Sequence, residues 1–580
     1  MDESSLLALA KRRGFFYPAF EIYGGAAGFY EYGPLGTALK RNIAERWRSL
    51  YVLGEGFAEI DSPTLTPEEI FVASGHAGEF TDFSVECREC GEAFRADHLL
   101  SDGTMAWAKD AHPSAGRPQP GMEELSDILK KHGIKCPSCG GELSPPRTVN
   151  LMFSTTIGSA GRTRIGYLRP ETAQAMFFSF SNLQRYVRER MPFGVVQVGR
   201  GYRNEISPRQ GLLRLREFNM MEAEVFVHPE HKDWARFPEM EGDILHLVPH
   251  EGEGAGLSAR EAVDSGIIAH EALAYFLCLT RRFLLNVGID DARLRFRQHM
   301  PTEMAHYARD CWDAEALLSQ GWIELVGIAD RGSYDLEQHI KHSGAQLTVF
   351  ERFPEPQIVE REVIAPIHPR LGPIFKRRAK EIAEALGTAD PSLIADDGSL
   401  TLHLKEERVV VPQECFERKR VKEYLSGRRI VPHVIEPSYG LDRILYAVME
   451  HSYHEDGEYA VLRLQPIVAP IKFGVFPLLP RDGLAGIATE IDRALRAAGH
   501  ATFYDDAGSI GRRYARMDEV GTPFSITVDH QSLEDGTVTV RDRDTRAQAR
   551  VAASELPCLA QDLIMSGVRI SELARKTQGG

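Results

Sequence analysis

Long apolar runs are missing from this chain of 580 residues: nowhere do about eighteen consecutive apolar residues occur, so no membrane-spanning helix is expected. The opening "MDESSLLALAKRRGFF" places acidic residues before a very short apolar stretch, unlike a secretory signal, and the expectation is a cytoplasmic protein. Positive charge is also short, with 68 Lys+Arg against 83 Asp+Glu and a net charge of -15. That argues against indiscriminate nucleic-acid binding, which needs a broad basic field, but leaves room for a local basic groove. Cysteines number eight, not the density of a disulfide framework. Cys278, Cys311, Cys415 and Cys558 stand alone and read as buried structural thiols. No long repeat or low-complexity tract is present. The remainder, 43% hydrophobic and 26% charged, is the composition of a globular protein with large cores, and the length suggests three or four domains.

Along the chain, Leu35, Leu39, Ile43, Trp47 and Leu50 recur three or four apart and predict an amphipathic helix over 35–50. "GFAEIDSPTL" reads as a strand ending before Pro63. A Gly- and Pro-rich stretch from 84 to about 147 is bracketed by two cysteine pairs and reads as an insertion. Strands alternate with a helix to about 227, and polar loops mixed with helical stretches follow to 322. A composition shift near 465 opens a self-contained α/β unit, with helices at 484–495 and "SIGRRYARMDEVG" and strands at "ATFYDD", "FSITVD" and "GTVTVRD".

Residues 201–218, "GYRNEISPRQGLLRLREF", predict a hairpin. Arg203 and Glu205 share one strand face, "SPRQG" forms the loop, and Arg214, Arg216 and Phe218 share a face of the returning strand. Two readings fit: an exposed hairpin with cross-strand ion pairs, or a cup in which guanidinium groups take phosphate and an aromatic face takes a base. "EPSYGLDR" sits between an apolar strand and an apolar helix, where backbone donors at the helix start favour anions and Arg443 adds charge beside them.

Cys87-x-x-Cys90 and Cys136-x-x-Cys139, each followed by Gly, match a tetrahedral structural Zn²⁺ site; a redox pair or bare thiols are the alternatives. The spacer of 45 residues exceeds the common range of about 15 to 20, so the chain must leave and return.

Taken together, "FYEYGPLG", "NLMF", "GYLRPETAQ", "RNEISPRQGLLRLREF", "GIADRGSYDL" and "EPSYGLDR", in that order, resemble the homodimeric glycyl-tRNA synthetases of class II. The resemblance covers about residues 10–560. It implies an α+β fold: a class II antiparallel-sheet catalytic domain with insertions, plus a C-terminal α/β anticodon-binding domain. On it, 1–83 form the first part of the catalytic domain with the dimer helix and strand, and 84–147 an inserted zinc-ribbon-like module. Residues 148–227 form the core, 228–322 an insertion, 323–464 more core with a further insertion at about 350–425, and 465–580 the anticodon-binding domain.

The resemblance also implies roles. Arg203, Glu205 and Arg443 would be catalytic. Arg203 would hold the α-phosphate and the amino-acid carboxylate, Glu205 would accept from the adenine amino group, and Phe218 would stack on the ring. Arg214 would reach the phosphates, and Arg443 would cover the other adenine face and neutralise the γ-phosphate. Asn204 and Leu215 complete that set, with Glu324 and the Leu325 backbone beside the nucleotide and its Mg²⁺. Glu171, Glu222, Glu436, Pro437 and Ser438 would hold glycine, carboxylates around its ammonium and walls against a β-carbon. Alone, Glu171 reads more readily as a decorated helix start and Glu222 as an exposed strand face, since most charged residues are solvated surface. Arg512, Arg513, Arg516, Arg541, Arg543 and Arg546 would meet tRNA(Gly), or else form a solvated face. The implied partners are ATP, glycine, tRNA(Gly) and a second copy of the chain, with no membrane. A binding-only accessory relative is the alternative; such a protein should lack some of Arg203, Glu205, Arg443, Glu171 or Glu436, and all five are present.

Overall fold

The strand Glu217–Val227 is buried along almost its whole length, and its two faces do different things. Met221, Ala223, Val225 and Val227 enter the largest apolar cluster, while the alternate positions Met220, Glu222 and Glu224 point the other way. One face is therefore core and the other is a polar site, both closed off from solvent. The structure, a computed structural model, describes residues 3–572 apart from 97–98, 100–120, 160, 209, 305–307, 405–406, 457–458 and 571.

That strand belongs to a nine-stranded sheet. In chain order its members are β1 (Ala58–Glu59), β2 (Phe193–Tyr202), β3 (Glu217–Val227), β4 (Ile244–Val248) and β5 (Ala255–Ser258), then β6 (Leu294–Gln298), β7 (Asp310–Leu318), β8 (Gly321–Gly332) and β9 (His433–Gly440). Their spatial order is β5-β4-β6-β7-β8-β9-β3-β2-β1. All neighbours are antiparallel except β1 with β2 and β4 with β6. The stretch 228–322, which the sequence marks off as an insertion, supplies β4 to β7 and a 17-residue helix (Glu271–Val287) whose buried face joins the same core. Apolar alternation in short strands interrupted by polar loops is what disguises it.

The expected amphipathic helix forms as α1 (Pro34–Arg48), with proline in its first turn. Leu39, Ile43 and Trp47 are consumed inside the chain's own core, so this stripe is not a free dimer seam. The following strand is only β1, two residues long.

Residues Thr348–Ile430 separate as a second unit, in the stretch where a further insertion is expected. Val349–Pro366 pairs antiparallel with Phe416–Ile430, and Ile364, Ile382, Leu386, Leu400 and Phe416 pack a small core of their own.

The last domain contains a five-stranded mixed sheet, with Phe473–Pro477 parallel to Thr502–Tyr504 and Phe524–Val528, flanked by helices Leu484–Ala497 and Ile510–Glu519. Three of the arginines expected to face tRNA turn inward. Arg513 donates to the Pro477 and Gly508 carbonyls, Arg541 forms a two-pronged pair with Asp518, and Arg543 donates to the Gly521 and Leu464 carbonyls. Backbone carbonyls at loop ends need donors, and the guanidinium fork supplies several from one side chain. Arg512 and Arg516 line an open cleft instead. Cys278 and Cys415 are buried as expected, but Cys311 is half-buried and Cys558 lies exposed on a helix surface. Among the described residues no helix is long and apolar enough to cross a membrane.

Candidate active site

The hairpin is shorter in strand and longer in loop than the sequence suggests. Strands β2 and β3 stop at Tyr202 and Glu217, and residues 203–216 fold back over the sheet through a turn at Gly211–Leu213. Burial of Leu212, Leu213 and Leu215 explains the difference, because these apolar side chains pull the loop down rather than letting it extend as a ribbon. Arg203 and Arg214 consequently converge from a loop, not from facing strands.

Arg203 lies 5.3 Å from the ring centres of both Phe80 and Phe218. Phe218 lies flat only because position 201 is glycine: a Cβ there would come within 2.6 Å of the ring. Arg214 donates to Glu205 at 2.7 Å, so the carboxylate expected to read a base and the guanidinium expected to reach phosphate engage each other. Arg443 donates at 3.0 Å to the Glu324 carboxylate, to the Glu324 carbonyl and to the Leu213 carbonyl. Desolvation by the surrounding cleft raises Glu324, although its side chain is about half exposed, but Arg443 and Arg203 outweigh it and hold the carboxyl below its ordinary range. Arg203, Glu205, Arg214, Leu215, Phe218, Glu324, Leu325 and Arg443 line one cleft. Asn204 is exposed and off this cleft; its backbone N–H goes to Leu151.

A second network fixes this cleft from behind. Asp442, at the start of the helix Leu441–Ser452, accepts from the Tyr32 hydroxyl, from the Asn219 backbone at 2.5 Å and from the Asn219 amide at 2.9 Å. Tyr32 belongs to "FYEYGPLG" and Asn219 to the strand after Phe218, so this buried carboxylate ties both to the residue preceding Arg443. Sequence reading passed over Asp442.

Farther along the same face of β3 lies an acidic socket. Glu222 accepts from Ser438 at 2.7 Å and, through its other oxygen, from the Thr172 backbone at 2.7 Å and the Thr172 hydroxyl. Glu171 accepts from Gln174 at 3.0 Å and lies 3.5 Å from the His76 ring. Glu436 is bound by Arg331 at 2.7 Å. Arg331 is the hub: only 1% exposed, it also grips Asp335 at 2.8 and 3.1 Å and stands 4.0 Å from Glu171. Burial alone lifts Glu171, but His76 and Arg331 reverse this and hold it well below the carboxylate range. Glu436 goes the other way, pushed up to about 8 by burial against the pull of Arg331. Within "EPS", Glu436 and Ser438 share the site face, whereas strand alternation turns Pro437, opposite Ile328, to the other. Arg331, Asp335, Gln174, His76 and Thr172 were not anticipated.

The four cysteine sulfurs lie within 4.8 Å of one another, with Cys87 to Cys139 at 3.5 Å and Cys90 to Cys136 at 3.7 Å. A tetrahedral Zn²⁺ with bonds of about 2.3 Å needs sulfurs roughly 3.8 Å apart, so the group fits one ion. Gly91 and Gly140, just after each pair, take φ of +72° and +77°, the left-handed turn that folds each knuckle back on itself.

Two family patterns match the chain: "tRNA synthetase class II core domain (G, H, P, S and T)" over residues 161–247 and "Anticodon binding domain" over 465–563. The glycine–tRNA ligase of Archaeoglobus fulgidus is 49% identical over 99% of this chain and 99% of its own. Those of Methanothermobacter thermautotrophicus and Methanothrix thermoacetophila are 49% and 50% identical, over 96% and 97% of this chain and 98% and 97% of theirs. Among solved structures, prolyl-tRNA synthetase of Giardia lamblia in complex with prolyl-adenylate superposes with a TM-score of 0.51 at 12% identity, over 98% of this chain and 80% of that one, a likeness of fold.

Proposed function

The chain belongs to the glycine–tRNA ligases, a family of class II aminoacyl-tRNA synthetases, and on that premise we propose how its residues divide the work. The enzyme joins glycine to tRNA at the expense of ATP. The glycine carboxylate attacks the α-phosphorus of ATP, pyrophosphate leaves, and the glycyl group then passes from the adenylate to the terminal ribose hydroxyl of tRNA, releasing AMP. No covalent bond to the protein is needed, so positioning and charge neutralisation carry the rate.

Phe218 stacks on adenine from one side and Arg443 from the other, while Glu205 accepts from the adenine amino group. Arg203, poised between two rings, meets the negative charge that builds as carboxylate and α-phosphate approach. Arg214 leaves Glu205 for phosphate as ATP enters. Mg²⁺, when bound with ATP, neutralises phosphate charge. Glu324, with the Leu325 backbone close by, would hold it. A Cβ on Gly327 would lie 3.9 Å from both Glu324 Oε1 and Asp313 Oδ1, so the glycine leaves an oxygen-lined gap suited to a hard cation. Glu171, Glu222 and Glu436 surround the ammonium of glycine. The observation that carries the reading is that Phe218 and Glu222 lie on one face of one strand, about 13 Å apart along it, which sets a base site and an ammonium site end to end.

Exchange of pyrophosphate into ATP, measured with each of the twenty amino acids, is expected to respond to glycine alone. Exchange with alanine or serine at a comparable rate would overturn the pocket assignment.

Cys87, Cys90, Cys136 and Cys139 would hold a structural Zn²⁺ through four thiolates, away from the chemistry. Elemental analysis is expected to find one zinc per chain and none in Cys87→Ser, with little change in exchange rate; a metal-free parent protein would end this assignment. The C-terminal domain receives the anticodon, and two chains pair as a homodimer through surface that includes the exposed Phe20, Ile22 and Tyr23.

A further inference from the structure

One carboxyl group in the glycine socket has no task in this scheme. Glu224 lies on β3 one site-facing position beyond Glu222, is 0% exposed, and neither of its oxygens has a hydrogen-bond partner among the described residues. The register of β3 against β9 pairs Glu222 with Ser438 and Val225 with Ile435, which sets Glu224 directly across from Glu436 on the same face. Like charges opposed in this way repel, and burial removes the solvent that would screen them. Two ionised carboxylates do not persist in such an arrangement unless a cation lies between them.

The charge balance of the socket points the same way. Its carboxyl groups are Glu222 and Glu224 on β3, Glu436 on β9, Glu171 before the helix Ala173–Phe178, and Asp335 on the helix Tyr334–Ser343. The cations facing them among the described residues are Arg331 on β8, the buried Arg169 on the Glu222 side and, when protonated, the His76 ring. The Cys311 thiol on β7 faces Glu436 and is neutral, and burial keeps the His339 ring, reached through Gln174, uncharged. Arg331 spends its donors on Asp335 and Glu436 and has none aimed at Glu224 at bonding distance. Burial, with Glu436 opposite, raises Glu224 well above the carboxylate range, in the same direction as Glu436.

We propose that Glu224 and Glu436 hold one proton between them in the glycine-free pocket, and that the ammonium group of glycine displaces it to solvent. The step breaks a carboxylic O–H bond, passes the proton to the buffer and leaves ionised Glu436 to accept from the ammonium. No electrons change hands. Glu224 is thus a positioning residue: it sets the charge state of Glu436 rather than touching substrate. Its carboxyl group links glycine affinity to pH. Where the pair is protonated, each unit rise in pH strengthens glycine binding by up to about tenfold, and above its titration the dependence disappears.

The inference rests on the glycine site proposed above, and the full-length enzyme distinguishes the two. Calorimetric titration of glycine at pH 7 in phosphate and in imidazole, buffers with different protonation enthalpies, is expected to show close to one proton released per glycine bound. The KM for glycine in pyrophosphate exchange is expected to fall about fivefold to tenfold from pH 6 to pH 7 and to level off above pH 8. Glu224→Gln keeps the shape and removes the titration, so its KM profile is expected to flatten and its proton release to fall towards zero. A buffer-independent enthalpy in the parent enzyme overturns the proposal without any variant having to fold. So does an unchanged profile in Glu224→Gln. If instead Glu436→Gln leaves the glycine KM untouched, the site assignment itself fails.

Discussion

Arg203→Ala is expected to slow glycine-dependent pyrophosphate exchange by about a hundredfold to a thousandfold, the cost of one preorganised donor aimed at developing charge. The environment of Arg203 makes the loss specific to chemistry. Its guanidinium faces two aromatic rings at 5.3 Å and makes one long bond, 3.4 Å, to the Pro170 carbonyl. No carboxylate is at ion-pair distance from it among the described residues, and Glu324, which feels its charge, is held directly by Arg443, so truncation strands no buried charge. Lost cation–π contacts at a half-buried site come to about 1–2 kcal/mol, a drop in unfolding temperature of a few degrees for a chain of this size. Arg203→Lys keeps the charge but not the planar fork, and is expected to fall between the two. Exchange kinetics beside a melting curve check both halves. Exchange near the parent rate in a folded Arg203→Ala protein would remove this arginine from the reaction.

The contrast between Arg203 and Arg331 also shows what a sequence gives up easily. Arg203 sits in "GYRNE" beside Gly201 and ahead of "LREF", and the clustering of arginines with a single aromatic offers a nucleotide cup beside an exposed ion-paired hairpin, a choice that only the family resemblance makes. The strand alternation in "NMMEAEVFV" was legible too, and it separates the core positions Met221, Ala223 and Val225 from Glu222. The same alternation places Glu224 beside Glu222, a signal present but not read, because a second acid two residues on looks like solvated surface until its burial is known. Strand ends were not legible: whether residues 203–216 continue as ribbon depends on Leu212 and Leu213 finding a core, which is a tertiary fact. Arg331 lies in "GIADRGSYDL", one of the stretches that carry the family resemblance, but nothing local assigns it a role, since Asp335 four residues later is a spacing equally common on exposed helices. Its importance comes from Glu436, more than a hundred residues away, and from burial. The inward turn of Arg513, Arg541 and Arg543 was hidden for the same reason, since their partners, backbone carbonyls for Arg513 and Arg543 and the Asp518 carboxylate for Arg541, are brought near only by folding.

Arg331→Met should therefore cost far more stability than Arg203→Ala, about 3–5 kcal/mol, because it removes the buried cation and leaves its carboxylates behind. Arg331 is 1% exposed and holds Asp335 and Glu436 directly, with Glu171 at 4.0 Å. The pH dependence gives the mechanism away. In the parent, Glu171 keeps its charge well below the ordinary carboxylate range because His76 and Arg331 outweigh burial. A depressed folded-state pKa adds stability above the unfolded value that is lost only as pH falls through the folded one. Without Arg331, Glu171 loses one of its two cations and its depression shrinks, while Glu436, already about 8 in the parent, rises further. Carboxyls raised in the folded state cost stability as pH increases, so the gap between variant and parent should widen from pH 5 to pH 8. Denaturant unfolding at both values, with Arg331→Lys as a variant that keeps a charge without the two-pronged grip, measures it. A gap below about 1 kcal/mol, or one that does not change with pH, would mean that the socket's charge is balanced by something other than this arginine.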